Sequence, residues 1–576
     1  MKSLLKYLKE YRKEAVLAPL FKLLEATFEL IVPLVMAAII DTGIATQNRP
    51  YILKMCGVLV LLAAVGLASS ITAQWFAAKA ATGFSAKLRH LLFEHIQELS
   101  FSQMDLFGTD TLITRMTSDV NQVQNGVNLV LRLFMRSPFI VFGAMIMAFT
   151  VDVKAALIFV VTIPILSVVV FGIMLWTMPL YRRVQGKLDQ IMTGTRENLT
   201  GVRVIRAFGR EESEEESFRA SNEDLSHMQQ YVGRISGLMN PVTYIIINLA
   251  TAYLIYTGAV RIDIGALTQG QVVALLNYMS QILVELIKLA NLIIQVTKAW
   301  ACGDRIADIL KVEPDMTDGM LGAEALGDSD TAVEFRNVTL TYEEDAGEAL
   351  ENISFKAKKG QTIGIIGGTG SGKSSLVNLI PRFYDATQGE VLVGGHNVKE
   401  YRQDALRSRI GVVLQKAILF KGTIAENLAW GKNDASAEEM DEALEISQAK
   451  EYVEQKPGRT AFELEQNGRN LSGGQKQRMT IARALIRKPE ILIMDDSASA
   501  LDFATDAKLR MAIRKMSKNL TTFIVSQRAA SVQYADQILV MDDGKLVGTG
   551  THEELLAGNP VYQEIYYSQF PKEEEA

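Results

Sequence analysis

The sequence predicts an α-helical membrane domain of six transmembrane helices, fused to a soluble α/β domain of the P-loop type. Long apolar stretches are confined to the first half of the 576 residues. In the second half, short Val/Ile-rich runs alternate with helical stretches, which is typical of a parallel α/β sheet. A glycine-rich loop of the phosphate-binding kind follows one of these runs. A chain of this length is too long for a single core, so at least two domains are expected.

The membrane domain is predicted from stretches near the roughly 20 apolar residues that cross a bilayer. Long connections at 83–129 and 179–237 alternate with short ones, and the second long connection is rich in arginine. The positive-inside rule therefore places the N-terminus, both long loops and the second half of the chain in the cytoplasm of a multi-pass cell-membrane protein. The six predicted spans are 15–41, 55–82, 130–150, 155–178, 238–260 and 270–300.

Changes in composition divide the chain. We interpret 1–305 as the transmembrane domain, the polar and Gly/Asp-rich segment 306–331 as a linker, and 332–576 as the nucleotide-binding domain. Only two cysteines are present, which excludes a disulfide framework. The net charge of −6 argues against nucleic acid as a partner, because there is no basic surplus to neutralise phosphates.

The glycine-rich loop fits G-x-x-x-x-G-K-[ST], with an apolar run at 363–366 before it and a helical pattern after it. Backbone N–H groups of such a loop, together with the helix N-terminus, cradle nucleotide phosphates. Lys373 is expected to reach the β/γ-phosphates and the Ser374 hydroxyl to ligate Mg²⁺. A glycine-rich turn without a ligand is the alternative, which the strand–loop–helix context disfavours. The predicted binding residues are Gly367, Gly368, Thr369, Gly370, Ser371, Gly372, Lys373, Ser374 and Ser375.

Two further motifs accompany this loop. The apolar run 491–495 ends in Asp495, a position from which a carboxylate can hold the Mg²⁺ shell beside the phosphates. Between the two lies a turn that opens a predicted helix and that we call the signature turn. It consists of Leu471, Ser472, Gly473, Gly474 and Gln475.

The order of these motifs, with Gln415 after the phosphate loop and Ser499-Ala500-Leu501-Asp502 after Asp495, resembles that of ATP-binding cassette proteins. Because six predicted spans precede them, the whole chain is similar to a half-transporter of the ABC exporter type. The resemblance implies ATP and Mg²⁺ as cofactors, with Ser374, Gln415 and Asp495 around the metal.

The resemblance also implies roles for other positions. Tyr342 would stack on adenine, although a core tyrosine is the alternative reading. The signature turn would bind the γ-phosphate of an ATP held by the other cassette, and Asp502 would report across the interface between cassettes. Segments near 107–111 and 207–211 would be the coupling helices that press on the cassettes.

Two positions depart from the family pattern. Asp496 stands where the family has a Glu as general base, and Gln527 stands where it has a His as switch residue. Asp is one methylene shorter than Glu, and a misplacement of about 1 Å can cost on the order of 10²-fold in rate. Gln can donate a hydrogen bond but cannot carry the positive charge of imidazolium. The chain thus resembles the degenerate-site subunit of heterodimeric multidrug ABC exporters, whose partner subunit would supply the Glu and the His.

The predicted function is ATP-driven export of hydrophobic or amphipathic compounds. Alternatives with the same architecture are an ATP-gated channel or regulator and a flippase for lipids or peptides.

Charged residues inside the predicted spans allow two interpretations. Their spacing places the charges of the first span, and likewise those of the sixth, on one helix face. An unpaired charge at mid-bilayer costs about 2.5–3.5 kcal/mol on the insertion scale, so these faces should point at a cavity or at each other. One hypothesis is a cavity that favours cationic amphiphiles, and the other is a structural network of Glu–Lys pairs that includes Lys22. The candidate cavity residues are Glu25, Glu29, Glu285 and Lys288.

Overall fold

The computed structural model describes residues 1, 3–324, 329–342, 347–497, 501–516 and 519–570. The chain forms two compact units. The first, which we call the membrane unit, comprises Met1–Gln97 and Thr109–Val312, and the second, the cassette unit, comprises Glu98–Gly108 and Glu313–Ala576. Part of the predicted linker, 325–328, lies outside the described residues.

The membrane unit is helical. Within the described residues, six helices are long and apolar enough to cross a membrane, and each contains one of the predicted spans. Their bounds are Leu4–Ile44, Arg49–Glu98, Thr109–Val151, Val153–Thr200, Glu211–Asp263 and Gln269–Ile309.

These spans are built from shorter regular segments. The third span contains two π-helical stretches, Arg115–Asp119 and Val130–Phe134, between its α-helical parts. The helices up to the end of the sixth span are α1 (Arg12–Ala38), α2 (Arg49–Glu98), α3 (Phe101–Phe107), α4 (Thr109–Thr114), α5 (Val120–Leu129), α6 (Arg136–Val151), α7 (Val153–Thr200), α8 (Val202–Ala207), α9 (Glu211–Gly237), α10 (Met239–Asp263) and α11 (Gln269–Ile309).

Local chemistry fixes the ends of these helices. A single extended residue, Asp152, separates α6 from α7; its carboxylate caps α7 by accepting from the N–H of Ala155 at 2.8 Å, and it pairs with Arg261. Thr268 begins α11 with a capping box that includes Gln271. Each cap satisfies a backbone donor that the first turn of a helix leaves without a partner.

The cassette unit contains two main sheets. Within the described residues, a four-stranded antiparallel sheet has the order β2-β1-β4-β5, and a six-stranded sheet has the order β12-β11-β3-β10-β9-β6. In the larger sheet every neighbouring pair is parallel except β11 with β12. The strands are β1 (Thr331–Leu340), β2 (Leu350–Lys358), β3 (Thr362–Gly367), β4 (Gln388–Val393), β5 (His396–Asn397), β6 (Ile410–Val413), β7 (Gly422–Thr423), β8 (Glu463–Leu464), β9 (Ile491–Asp495), β10 (Thr521–Val525), β11 (Gln537–Asp542) and β12 (Lys545–Gly550).

The apolar composition of the central parallel strands follows from their burial. All residues of β9 and β10 are buried, which is the pattern of strands covered on both faces. Ile363, Ile493 and Phe523, from β3, β9 and β10, belong to one hydrophobic core. The helices of this unit after α3 are α12 (Lys373–Asn378), α13 (Gln403–Ser408), α14 (Ile424–Ala429), α15 (Ala437–Ile446), α16 (Lys450–Glu454), α17 (Gly473–Leu485), α18 (Phe503–Met516), α19 (Ala529–Val532), α20 (His552–Gly558) and α21 (Pro560–Gln569).

The order of the strands determines where a ligand can bind. β3, β10 and β9 are adjacent and parallel, so their carboxyl ends, at Gly367, Val525 and Asp495, meet at one edge of the sheet. Ligands of open α/β sheets bind outside the carboxyl ends of the strands. The loops that follow these three strands are therefore the ones that build the site.

Candidate nucleotide-binding site

A pocket of about 370 Å³ lies at this edge of the sheet. Most of the residues that the sequence predicted to contact ATP and Mg²⁺ line it, and Gly367 and Gly368 come just before the lining segment of the loop. The lining residues are Tyr342, Ala349, Thr369, Gly370, Ser371, Gly372, Lys373, Ser374, Ser375, Gln415, Asp495, Asp496, Val525, Ser526 and Gln527.

The phosphate loop depends on glycine at a specific position. Gly372, the residue before α12, has a φ of +89°, and a Cβ there would come within 2.8 Å of the Ala349 carbonyl oxygen and of Leu350. Any other residue would be strained and would also collide with the chain at the start of β2. This tight turn brings the loop directly into the first turn of α12.

Lys373 is buried inside the loop. Its ammonium donates to the carbonyl oxygen of Gly367 at 3.0 Å and to the Ser371 hydroxyl at 3.2 Å, and it also contacts the Gly368 carbonyl oxygen. Burial lowers the pKa of Lys373, and the nearby carboxylates of Asp495 and Asp496 oppose this shift. The cation is thus held at the phosphate loop by neutral oxygen atoms that phosphate oxygens can replace.

Ser374 and Asp495 form a pair of oxygen donors suited to Mg²⁺. The Ser374 hydroxyl donates to Asp495 Oδ1 at 3.1 Å, and burial raises the pKa of the Asp495 carboxyl. Among the described residues, no group of three or more His, Cys, Asp or Glu side chains could hold a metal ion. Mg²⁺ commonly uses one or two protein oxygens together with substrate phosphates, and the donors present here fit that mode.

Asp496 and Gln527 are part of the same pocket. Asp496 follows β9 directly with a φ of 44°, and its N–H donates to the carbonyl oxygen of Val525 at 3.0 Å. Burial raises the pKa of the Asp496 carboxyl, and a hydrogen bond from Gln415 is among the contacts that oppose the shift. Gln527 follows β10, and its backbone carbonyl accepts from the Gln569 amide at 2.8 Å.

Tyr342 lies at the edge of the pocket. Its side chain is 42% exposed, so it is not a core tyrosine. Its hydroxyl donates to the Ser375 hydroxyl at 2.9 Å, and its ring meets that of Tyr384 edge-on at 5.0 Å between centroids. An exposed ring held in this way can offer a face to a planar base.

The contacts of α3 within the cassette unit were not predicted from the sequence. Phe101 packs on Phe383 at 4.8 Å between ring centroids, and the Tyr384 hydroxyl donates to Asp105 at 2.7 Å. The residues that make these contacts precede the predicted coupling segment at 107–111. α3 ends at Phe107, where that segment begins. The capping box Ser100-x-x-Gln103 is the signal in the sequence that could have located this helix. The second predicted segment, 207–211, lies between α8 and α9 in the membrane unit.

The signature turn is not part of the pocket. Leu471 is buried, whereas Ser472 and Gly473 are exposed at the start of α17. Ser472 caps this helix in a capping box with Gln475. A Cβ on Gly473 would meet nothing within 4 Å. The structure therefore presents an open helix N-terminus, a place where backbone N–H groups can meet an anion from outside.

Asp502 caps α18. Its carboxylate accepts from the N–H of Thr505 at 2.9 Å and from the Thr505 hydroxyl at 2.8 Å, and the backbone hydrogen bond is the main reason that its pKa is lowered. Its predicted neighbours in the motif, Ser499 and Ala500, lie outside the described residues.

The charges predicted in the first and sixth spans are paired, and the network contains a further member, Arg136, in the third span. Glu285 accepts from Arg136 at 2.7 Å and from Lys288 at 2.9 Å, and Glu29 accepts from Arg136 at 2.6 Å. The predicted network contains charges of the first and sixth spans only, although Arg136 lies inside the predicted third span and the same rule would have selected it. The remaining pair joins Lys22 to Glu25 at 2.5 Å.

Two family models match the chain. One, described as the ABC transporter transmembrane region, matches residues 16–286, and the other, described as ABC transporter, matches 350–499. Both halves of the sequence thus match ABC transporter families.

Full-length relatives agree with this. An uncharacterized ABC transporter ATP-binding protein of Bacillus subtilis, YfiB, is 39% identical over 100% of this chain and 99% of its own length. A putative multidrug export ATP-binding/permease protein of the same organism, YgaD, is 32% identical over 99% of each chain. An ATP-dependent lipid A-core flippase of Yersinia pestis is 29% identical over 97% of this chain and 96% of its own.

A solved structure has the same fold. A bacterial Atm1-family ABC exporter with ATP bound superposes with a TM-score of 0.79, covering 98% of this chain and 99% of that one, at 23% identity.

Proposed function

The chain belongs to the ABC transporter family, as an ATP-hydrolysing exporter with membrane and ATP-binding domains in one polypeptide, and from this premise we propose that it is the weakly hydrolytic subunit of a heterodimer. The observation that carries the proposal is the make-up of one pocket. Lys373, Ser374 and Asp495 line it together with Asp496 and Gln527, so residues suited to binding stand beside residues unsuited to hydrolysis.

The binding side of the proposal follows from the chain's own groups. Lys373 and the loop N–H groups would hold the phosphates, and the exposed ring of Tyr342 would meet the adenine. Ser374, Gln415 and Asp495 would hold Mg²⁺, which neutralises phosphate charge when it is bound.

The hydrolytic side is impaired in two ways. The Asp496 carboxylate is one methylene shorter than that of Glu, and within the pocket it accepts a hydrogen bond from Gln415. A general base must come within about 3 Å of the proton that it abstracts. Gln527 can donate a hydrogen bond to a phosphate oxygen but adds no positive charge there.

The open signature turn supports a partner with a competent site. Each ATP would lie between one subunit's phosphate loop and the other subunit's signature turn. This chain would then complete the partner's site through Ser472 and Gly473, while the partner would bring the Glu and His that are absent here. A homodimer would contain two impaired sites.

We propose the cell membrane as the location, with the N-terminus and the cassette unit in the cytoplasm. The distribution of arginines between long and short loops supports this orientation. We further propose that the cargo is hydrophobic or amphipathic, which the relatives named as a multidrug exporter and a lipid A-core flippase support.

The test uses the purified chain without a partner. Wild type should bind a fluorescent ATP analogue and hydrolyse ATP slowly. The double variant Asp496→Glu/Gln527→His should hydrolyse it on the order of 10²-fold faster, because each site of a homodimer then contains the family's residues and an intact signature turn. Each single variant serves as a control and should gain less. Brisk hydrolysis by the wild-type chain alone would refute the proposal.

A further inference from the structure

The centre of the intramembrane network is saturated. Glu285 is 3% exposed, and its carboxylate accepts from Arg136 at 2.7 Å, from Lys288 at 2.9 Å and from the Ser137 hydroxyl at 2.8 Å. Arg136, 7% exposed, donates from its other Nη to Glu29. No ligand can reach this buried pair, which joins the first, third and sixth spans.

The two ends of the network are open and opposite in charge. The Glu29 side chain is 42% exposed, and in the described part of the chain only its Oε2 has a partner, Arg136 at 2.6 Å. The Lys288 side chain is 46% exposed, and its ammonium has a single acceptor there, Glu285. A carboxylate oxygen and ammonium N–H groups therefore remain available for bonding, well away from the ends of their spans.

The charges of the network balance. Counting Arg136, three cations (Lys22, Arg136 and Lys288) face three carboxylates (Glu25, Glu29 and Glu285). Arg132, one turn before Arg136, donates to the side-chain oxygen of Asn128 at 3.5 Å and adds a further positive charge, so carboxylates are not in excess in this region. The hypothesis of a cavity that favours cations needs an excess of carboxylates, and the described network has none.

We propose that Glu29 and Lys288 form a headgroup subsite for zwitterionic amphiphiles. The carboxylate of Glu29 pairs with the cationic group of the ligand, and the ammonium of Lys288 donates to its anionic group. A ligand with one charge would satisfy one end and leave the other open in a low-dielectric region, whereas a zwitterion closes both. This inference rests on the proposed export of amphipathic compounds and narrows their class.

The experiment measures binding to the full-length chain in a sugar-headed detergent, without ATP. The ligands share a dodecyl tail and carry a phosphocholine, a sulfobetaine, a trimethylammonium or a phosphate headgroup. Wild type should bind both zwitterions about tenfold or more tightly than the cationic or the anionic ligand, since a hydrogen bond to a charged group is worth about that factor. Binding of phosphocholine alone would identify a phospholipid as the source, and binding of both zwitterions would identify the zwitterionic charge pattern itself.

Variants test the assignment of the two ends. Glu29→Gln and Lys288→Gln should each weaken zwitterion binding about tenfold, whereas Glu29→Asp and Lys288→Arg, which keep the two charges, should lose less. Glu215→Gln, in an exposed pair with Arg219 on α9, is the control and should change nothing. Melting temperatures identify variants that fail to fold, and the comparison of the four ligands on wild type tests the inference without any variant.

Two outcomes would overturn the inference. One is trimethylammonium binding as tightly as the zwitterions and weakened by Glu29→Gln alone. The other is unchanged zwitterion affinity in folded Glu29 and Lys288 variants. The binding experiment does not measure ATP hydrolysis, so a negative binding result would not contradict the proposed weak ATP site. Conversely, rapid ATP turnover by the chain alone would not contradict a positive binding result.

Discussion

The cassette unit has two helix N-termini that are suited to binding anions, one enclosed in a pocket at α12 and one exposed at α17. At α12, Lys373 is buried in the loop, with the Ser374–Asp495 pair beside it in a pocket of about 370 Å³. At α17, Ser472 and Gly473 are exposed and line no part of that pocket. Both ends use backbone N–H groups and the helix dipole.

The difference in enclosure separates two tasks. An enclosed site with its own cation can retain a nucleotide within one subunit. An exposed helix N-terminus with no surrounding pocket binds an anion more tightly when a second protein surface holds that anion against it. Damage at α12 should therefore appear as lost binding in this chain, whereas damage at α17 should appear as lost turnover in a partner's site.

The largest expected effect is that of Gly473→Asp in the proposed heterodimer. The new Cβ has open space, so the fold should tolerate the change, while the carboxylate repels the γ-phosphate. ATPase activity should fall on the order of 10²-fold or more, the scale of losing a group that stabilises transition-state charge. Steady-state ATPase assays of the pair measure this.

Gly473→Asn is the matched control for that change, because it has the same shape without the charge and should retain much more activity. Full activity in Gly473→Asp would show that the signature turn of this chain does not complete a working site.

The next effect in size is that of Lys373→Ala. Removing the buried ammonium should raise the Kd of this chain for ATP about tenfold or more, because a charged hydrogen-bond donor to the phosphates is lost. Titration of the isolated chain with a fluorescent ATP analogue measures the change. Lys356→Ala, an exposed lysine on β2, should leave the Kd unchanged. An unaltered Kd in Lys373→Ala would contradict the proposal that the enclosed site at α12 retains the nucleotide.

Sequence and structure agree best where function is encoded locally. The phosphate loop, its lysine and the strand-end Asp495 could be predicted because each motif is a short run whose neighbours dictate a strand, a turn or a helix start. The six spans could be predicted for a similar reason, since bilayer thickness sets the length of an apolar run.

The missed features depend on contacts between distant segments. The pairing of Arg136 with Glu29 and Glu285 joins residues more than a hundred positions apart, and helix periodicity gives no information about which helices are neighbours. The contacts of Phe101 and Asp105 were missed for the same reason. Their partners, Phe383 and Tyr384, come much later in the chain, in the segment predicted as the nucleotide-binding domain.

The smallest expected effect is that of Asp496→Asn in the heterodimer, and it tests the comparison most stringently. Asn keeps a side-chain oxygen that can accept the hydrogen bond from Gln415, so the pocket should keep its shape while the charge disappears. If this chain's site contributes little hydrolysis, ATPase activity of the pair should stay within about twofold of wild type. The loss expected for Gly473→Asp is on the order of 10²-fold. ATP binding by the isolated chain should persist, because Lys373, Ser374 and Asp495 remain. A loss in Asp496→Asn as large as that in Gly473→Asp would mean that both ATP sites contribute to hydrolysis. The proposal that this chain binds ATP in its own pocket and completes the partner's site with its signature turn would then fail.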